Sequence, residues 1–213
     1  MPAPLPLTET PARPAGLILA GGRSSRMGGT DKALLQLGGK SLVARAAARL
    51  APQVRALAIS ANGGPARHAM LELPVLADII GGHRGPLAGI HAGLVWAAAL
   101  PDAPDQVVTV AADTPFFPPD LAARLAEASG GGNLIVIAAD ETGTHPVFGL
   151  WPVSLSSALE HWLTTAENLS VMAFVRSQPH VLAQFGTKGD PFFNINTPDD
   201  LAEAERHMSG EAS

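Results

Sequence analysis

The amino-acid sequence predicts a three-layer α/β domain built on a mostly parallel sheet. Three observations carry that expectation. Short apolar runs of strand length alternate with longer helical patterns along most of the chain. The runs at 107–112 and 134–139 are apolar almost without interruption, as in strands covered on both faces. The polar residues that break the pattern stand where such runs end, which in an open parallel sheet is where ligands bind.

The elements follow in order. Residues 16–20 (GLILA) read as a strand running directly into a glycine loop. Ser41 is placed as the N-cap of a helix that stops before Pro52. Residues 54–60 are the next strand, Asn62-Gly63-Gly64 a loop, and 74–78 a short strand. Gly85 to Gly89 leads into an apolar helix. The apolar stretch 86–100 is too short to span a bilayer and carries His91, so it reads as a buried helix. Residues 107–112 (VVTVAA) form a strand that ends at Asp113. Pro118-Pro119 is expected to open a helix, because proline suits a first turn. A buried strand at 134–139 is followed by 144–151, which can pair with it in antiparallel fashion. Two helical patterns lie between 153 and 175, strand-like segments at 181–185 and Phe192-Phe193, and a last helix at 198–208, with His207 assigned to a frayed end.

A chain of 213 residues that is 46% hydrophobic can bury one sizeable core and is short for two domains. One domain is therefore expected over 16–208, between a flexible tail at 1–15 and a short one at 209–213. The first fourteen residues hold five prolines and no basic start followed by an apolar core, which argues against a signal peptide. A net charge of -5, without any basic run, makes a nucleic-acid binder a poor expectation. With no cysteine, disulfides, thiolate metal sites and a cysteine nucleophile are excluded together, and a cytoplasmic location is favoured. No membrane partner is expected.

The most informative segment is LAGGRSSRMGGTDKAL, residues 19–34. Four glycines with Arg23, Arg26 and Lys32 follow a buried strand. Glycine lets backbone N–H groups approach an anion closely. Arginine offers a planar fork to phosphate oxygens, and lysine a compact charge. Such a loop is suited to a polyphosphate. It is neither a Walker A motif, since no glycine stands at the required distance before Gly39-Lys40-Ser41, nor GxGxxG.

Leu-Ala-Gly-Gly, then Ser-Arg-Met-Gly, then Asp-Lys resembles the signature loop of the molybdenum cofactor guanylyltransferase family, called MobA, within the superfamily of the sugar-nucleotide pyrophosphorylases. Four further matches follow in order: Gly85-Pro86-Leu87-Ala88-Gly89, Asp113-Thr114-Pro115, His145-Pro146, and Asn194-Ile195-Asn196-Thr197-Pro198, so that the likeness spans about 180 residues. The resemblance implies a Rossmann-like fold of the nucleotide-diphospho-sugar transferase type. It implies transfer of GMP from GTP to the terminal phosphate of molybdopterin or Mo-molybdopterin, with Mg2+ as cofactor. Other molybdenum cofactor biosynthesis proteins or acceptor molybdoenzymes would be the protein partners. It assigns Lys32, Arg26 and Asp113 to catalysis and Asp113 to the metal. Leu19, Ala20, Gly21, Gly22, Lys32, Asn62, Asp78 and Asp113 fall on the nucleotide side; Asn194, Asn196 and His145 fall on the acceptor side. Gly21 goes with the guanylyl form of the loop, where the related cytidylyl enzymes carry alanine.

Plainer readings stand beside several of these. Asp113 could cap the turn into Thr114-Pro115, Asp78 a helix or turn, and Asn62-Gly63 could be only a turn. Asn194 and Asn196, flanking Ile195, would project to one face of an extended segment, while Asn196 could equally cap the last helix. His83, His91, His145 and His161 show no ligand spacing on one element, so a histidine metal site is not expected. The alternatives in function are a cytidylyl or sugar-1-phosphate nucleotidyltransferase on the same fold, and a non-catalytic GTP-binding module. A nicotinamide oxidoreductase lacks its glycine fingerprint and acidic partner here.

Overall fold

Apolar residues alternate between two faces along every long strand, and this alternation sets the architecture. The computed structural model describes residues 13–21, 32–63, 65–82 and 84–210. Strand β1 (Ala15–Leu19) opens the chain's ordered path, so Ala15, counted above with the tail, belongs to the sheet. A 3-10 turn at Lys32–Leu34 leads to a small hairpin, β2 (Gln36–Leu37) and β3 (Lys40–Ser41). Its two turn residues, Gly38 and Gly39, both have positive φ, which side-chain-bearing residues rarely adopt. That turn accounts for the Gly39-Lys40-Ser41 sequence without any phosphate role. Helix α1 (Leu42–Leu50) follows, its Ser41 hydroxyl accepting from the Ala44 N–H as an N-cap.

The chain continues through β4 (Ala56–Ser60), a 3-10 stretch at Pro65–Leu71, β5 (Val75–Leu76), α2 (Pro86–Ala98), β6 (Gln106–Ala111) and α3 (Leu121–Ala128). Then come β7 (Ile135–Asp140), β8 (Gly143–Pro152), α4 (Ser156–Thr165), α5 (Val171–Arg176), β9 (His180–Gln184) and α6 (Pro198–Met208). The seven-stranded sheet has the order β5-β4-β1-β6-β8-β7-β9. Strand β8 is antiparallel to both β6 and β7, and the other pairings are parallel. The mostly parallel sheet expected from sequence is therefore present, with the 134–139 and 144–151 segments paired as anticipated.

Leu17, Ala58, Val107, Ile135 and Ile137 pack on one face with α2, α4 and α5. Their neighbours Ile18, Ile59, Val108, Val136 and Ala138 pack on the other with α1 and α3. Helix α2 is apolar nearly all round and buried along most of its length. It lies close over β1 and β4 because Gly89 and Gly93 have no side chains: a Cβ at Gly89 would strike the Ser60 hydroxyl, and one at Gly93 the Leu17 side chain. The glycine that ends the Gly85-Pro86-Leu87-Ala88-Gly89 motif thus has a packing reason.

Four local expectations need correction. Pro118-Pro119 does not open a helix; α3 starts at Leu121, behind an Asp120 N-cap position, and the prolines shape the approaching turn. Phe192-Phe193 is not a strand, since the Phe193 N–H turns back to Asp190 O and its neighbours make no ladder. Strand β6 ends at Ala111, so Asp113 stands two residues beyond it, in a turn. His207 is not frayed: it lies inside α6 with its ring near those of Phe116 and Phe193.

Candidate active site

The carboxyl ends of β1, β4, β5 and β6 share one edge of the sheet, and the predicted polar residues gather along it. The ladder continues slightly past the strands, with Ala20 N donating to Ser60 O and Ala112 N to Leu19 O. Leu19 and Ala20 thus have backbone groups engaged in the sheet, and Gly21 is the first residue beyond it. A Cβ at Gly21 would meet no atom within 4 Å among the described residues, so protein packing does not demand glycine there. Gly22, Arg23 and Arg26 lie outside the described residues, as does His83.

At the far side of this edge, Asn62 and Asp78 hold each other. Asn62 Nδ2 donates to Asp78 Oδ2 at 2.7 Å, and the Asp78 N–H donates to Asn62 Oδ1 at 3.1 Å. The amide is used in both directions, which fixes the carboxylate just past β5. Asn62 is therefore more than a turn residue.

The centre of the site is the Lys32 ammonium. It lies 2.6 Å from Asp113 Oδ2, 2.6 Å from Asn196 Oδ1 and 3.2 Å from Asn194 Oδ1. An ammonium has three protons, and three oxygens from two distant segments take them. The Lys32 and Asp113 side chains are 18% and 25% exposed, so the pair is partly shielded yet open to solvent. Asn194 and Asn196 reach one atom together, in keeping with their expected projection to one face. The segment carrying them is fixed to the sheet because the Ile195 N–H donates to Asp113 O at 2.9 Å, while Ile195 is buried with Leu37, Leu42 and Ala204.

The cap of α6 is Thr197, whose hydroxyl accepts from Asp200 N, and not Asn196. Asp200 was missed from sequence. Its Oδ2 accepts from the N–H groups of Asn196 and Thr197, at 2.7 and 2.8 Å, and these bonds hold its carboxyl below the usual range. The Thr197-x-x-Asp200 spacing of a capping box was the readable signal.

Asp113 is the one predicted metal ligand. The donor set suits a hard cation that shares its ligands with substrate phosphates: a lone carboxylate at the edge, and no group of three or more His, Asp or Glu among the described residues that could cage an ion. The histidines lie apart in the fold: His91 buried in α2, His145 at the start of β8, His161 exposed on α4.

A sequence model of the MobA-like NTP transferase domain matches residues 16–181. The chain belongs to that family. It is 47% identical over 204 residues to a molybdenum cofactor guanylyltransferase of Mesorhizobium japonicum, covering 93% of this chain and 98% of the relative. It is 50% identical over 200 residues to one from Rhizobium leguminosarum bv. trifolii, covering 91% and 92%. Among solved structures, molybdopterin-guanine dinucleotide biosynthesis protein A from Archaeoglobus fulgidus superposes with a TM-score of 0.70 at 24% identity, over 92% of this chain and 99% of the other, a likeness of fold. The family membership carries the resemblance drawn from the glycine loop.

Proposed function

We propose that this chain transfers GMP from GTP to the terminal phosphate of molybdopterin or Mo-molybdopterin, giving a molybdopterin guanine dinucleotide and pyrophosphate. Relatives at 47% and 50% identity over most of the chain support the reaction. The observation that carries the reading is the Lys32 ammonium, held where the carboxyl edge of β6 meets the Asn194–Asn196 segment.

The chemistry is an in-line displacement. An oxygen of the acceptor phosphate forms a bond to the α-phosphorus of GTP as the α–β anhydride bond breaks, and the electron pair leaves with pyrophosphate. A phosphate monoester is anionic near neutral pH, so the site has little need of a strong base. Its work is to position two polyanions and offset their charge. Lys32 does this from the middle: charged phosphate oxygens outrank neutral amide oxygens for its protons. Arg26 adds a second cation by resemblance. Asp113 would hold magnesium, which when bound neutralises the α- and β-phosphates. Asn62 and Asp78 take the guanosine part. The Leu19 to Gly22 backbone takes the phosphates, and the glycine that packing does not demand at Gly21 leaves room for that approach. Asn194 and Asn196 take the acceptor. None of the helices described is long and apolar enough to cross a membrane, and the cytoplasm is the compartment this reading assigns.

Mass spectrometry of the product formed from GTP, magnesium and molybdopterin tests the proposal, with CTP in a parallel reaction. A guanine dinucleotide is expected; a cytosine dinucleotide, or GTP bound without transfer, would overturn it.

A further inference from the structure

The β7–β8 hairpin contains an irregularity that the reaction as described does not use. Ile137 faces Gly149 across the ladder, yet the next residue, Ala138, faces His145, so Pro146, Val147 and Phe148 bulge out of β8. Bulges re-aim side chains and recur beside active sites. This one is pinned from the core. The fully buried Thr109 hydroxyl donates to Val147 O at 2.8 Å and accepts from Trp151 Nε1 at 2.9 Å.

The bulge brings the His145 ring parallel to Phe192, with centroids 4.0 Å apart and planes 21° from each other. Behind the ring stands Asp140, the last residue of β7. Its Oδ1 accepts from the N–H groups of Thr142 and Gly143 and from the Thr142 hydroxyl, closing the hairpin turn. Its Oδ2 lies 2.9 Å from His145 Nε2, with the Asp140 side chain only 3% exposed. Burial works to raise the Asp140 carboxyl, but the bonds from Thr142 and His145 outweigh it and hold it below the usual range. Phe192, also packed edge-on against Phe148 and Phe185, begins the segment that carries Asn194 and Asn196 to Lys32.

We propose that His145 is a positioning residue: braced by Asp140 and aimed by the β8 bulge, its ring is the plate on which Phe192 rests, and it thereby sets where Asn194 and Asn196 meet the acceptor. This rests on the acceptor role given to those asparagines above.

Three variants separate the outcomes, each assayed for the KM of GTP and of molybdopterin and for Tm. His145→Ala removes the plate and should raise the molybdopterin KM roughly three- to tenfold, with the GTP KM within about twofold. His145→Phe keeps a flat ring on Phe192, and Asp140 keeps its turn hydrogen bonds, so the molybdopterin KM should return to within about twofold of the parent. If His145→Phe is as impaired as His145→Ala, the imidazole nitrogens act themselves and the plate is wrong. A large fall in Tm with both KM values moved alike would make the contact merely structural and also overturn it. Asn194→Ala is the control for the underlying reading: an unchanged molybdopterin KM there would remove the acceptor role of the segment, whatever the His145 variants do.

Discussion

Replacing Lys32 by alanine separates what the ammonium does for the fold from what it does for the reaction. In the fold, Nζ bridges Asp113 and the two asparagine oxygens at 2.6 to 3.2 Å, with both charged side chains partly exposed. An ion pair with that access to water contributes on the order of 1 kcal/mol or less. For a chain of this size that is a Tm shift of about 2–4 °C. In the reaction, the lost contact is charge-assisted and directed at phosphate, worth about 1.5–3 kcal/mol, or roughly ten- to hundredfold in kcat/KM. The expected signature is therefore a nearly intact melt with a steep loss of rate, read by pyrophosphate release at subsaturating GTP. Lys32→Arg should recover only part of the rate, because a planar fork cannot aim three protons from one point. Combining Lys32→Ala with Asn196→Ala should give less than the sum of the two losses, since both remove one contact. A change below twofold in a folded Lys32→Ala variant would place the ammonium outside the phosphate path and refute the reasoning.

Three further outcomes are expected. Asp113→Asn should keep the fold and lose most turnover, since an amide is a poor substitute for a carboxylate on magnesium; normal turnover at saturating GTP and limiting magnesium would remove that role. Burial holds the His91 imidazole below its ordinary range, with Glu160 pulling weakly the other way. The folded chain then binds fewer protons than the unfolded one as pH falls below about 6.5, so stability should drop from there downward; His91→Leu should flatten that stretch of a Tm-against-pH curve, and an unchanged slope would assign the loss elsewhere. Removing residues 1–12 should leave activity and Tm nearly unchanged, because the deletion spares Arg13, which donates to Pro52 O, and Pro14, whose carbonyl accepts from the Arg55 N–H; a fall of many degrees would show that the removed segment is held by the domain.

The strands were legible because their signal is local: Val107 to Val110 can be nothing but covered on both faces, and Leu17-Ile18 alternates between two cores. The last helix was legible to the residue because Pro198 marks its first turn. What the chain could not announce was convergence. Lys32 lies 81 residues from Asp113 and 164 from Asn196, and no periodicity links such positions. Resemblance selected those residues separately; only the fold joins them on one atom. The Phe192-Phe193 segment misled because aromatic residues favour strands, while here Phe192 pays its way by stacking against His145, Phe148 and Phe185. Asp140 was unreadable because its partner, His145, is placed by a bulge that the sequence does not mark.

The strand order has a consequence for distance. Strand β6, which leads to Asp113, is the fourth of seven, with β5, β4 and β1 on one side and β8, β7 and β9 on the other. Neighbouring strands stand about 4.8 Å apart, so the path from Asp78 past β5 to Asp113 past β6 crosses three spacings, roughly 14 Å. The sheet acts as a ruler, graduated by hydrogen bonds and held rigid by helices on both faces. A donor laid along one arm and an acceptor along the other meet above the middle graduation by construction. The span is then a property of strand pairing, and sequence change in the covering helices can proceed without altering it.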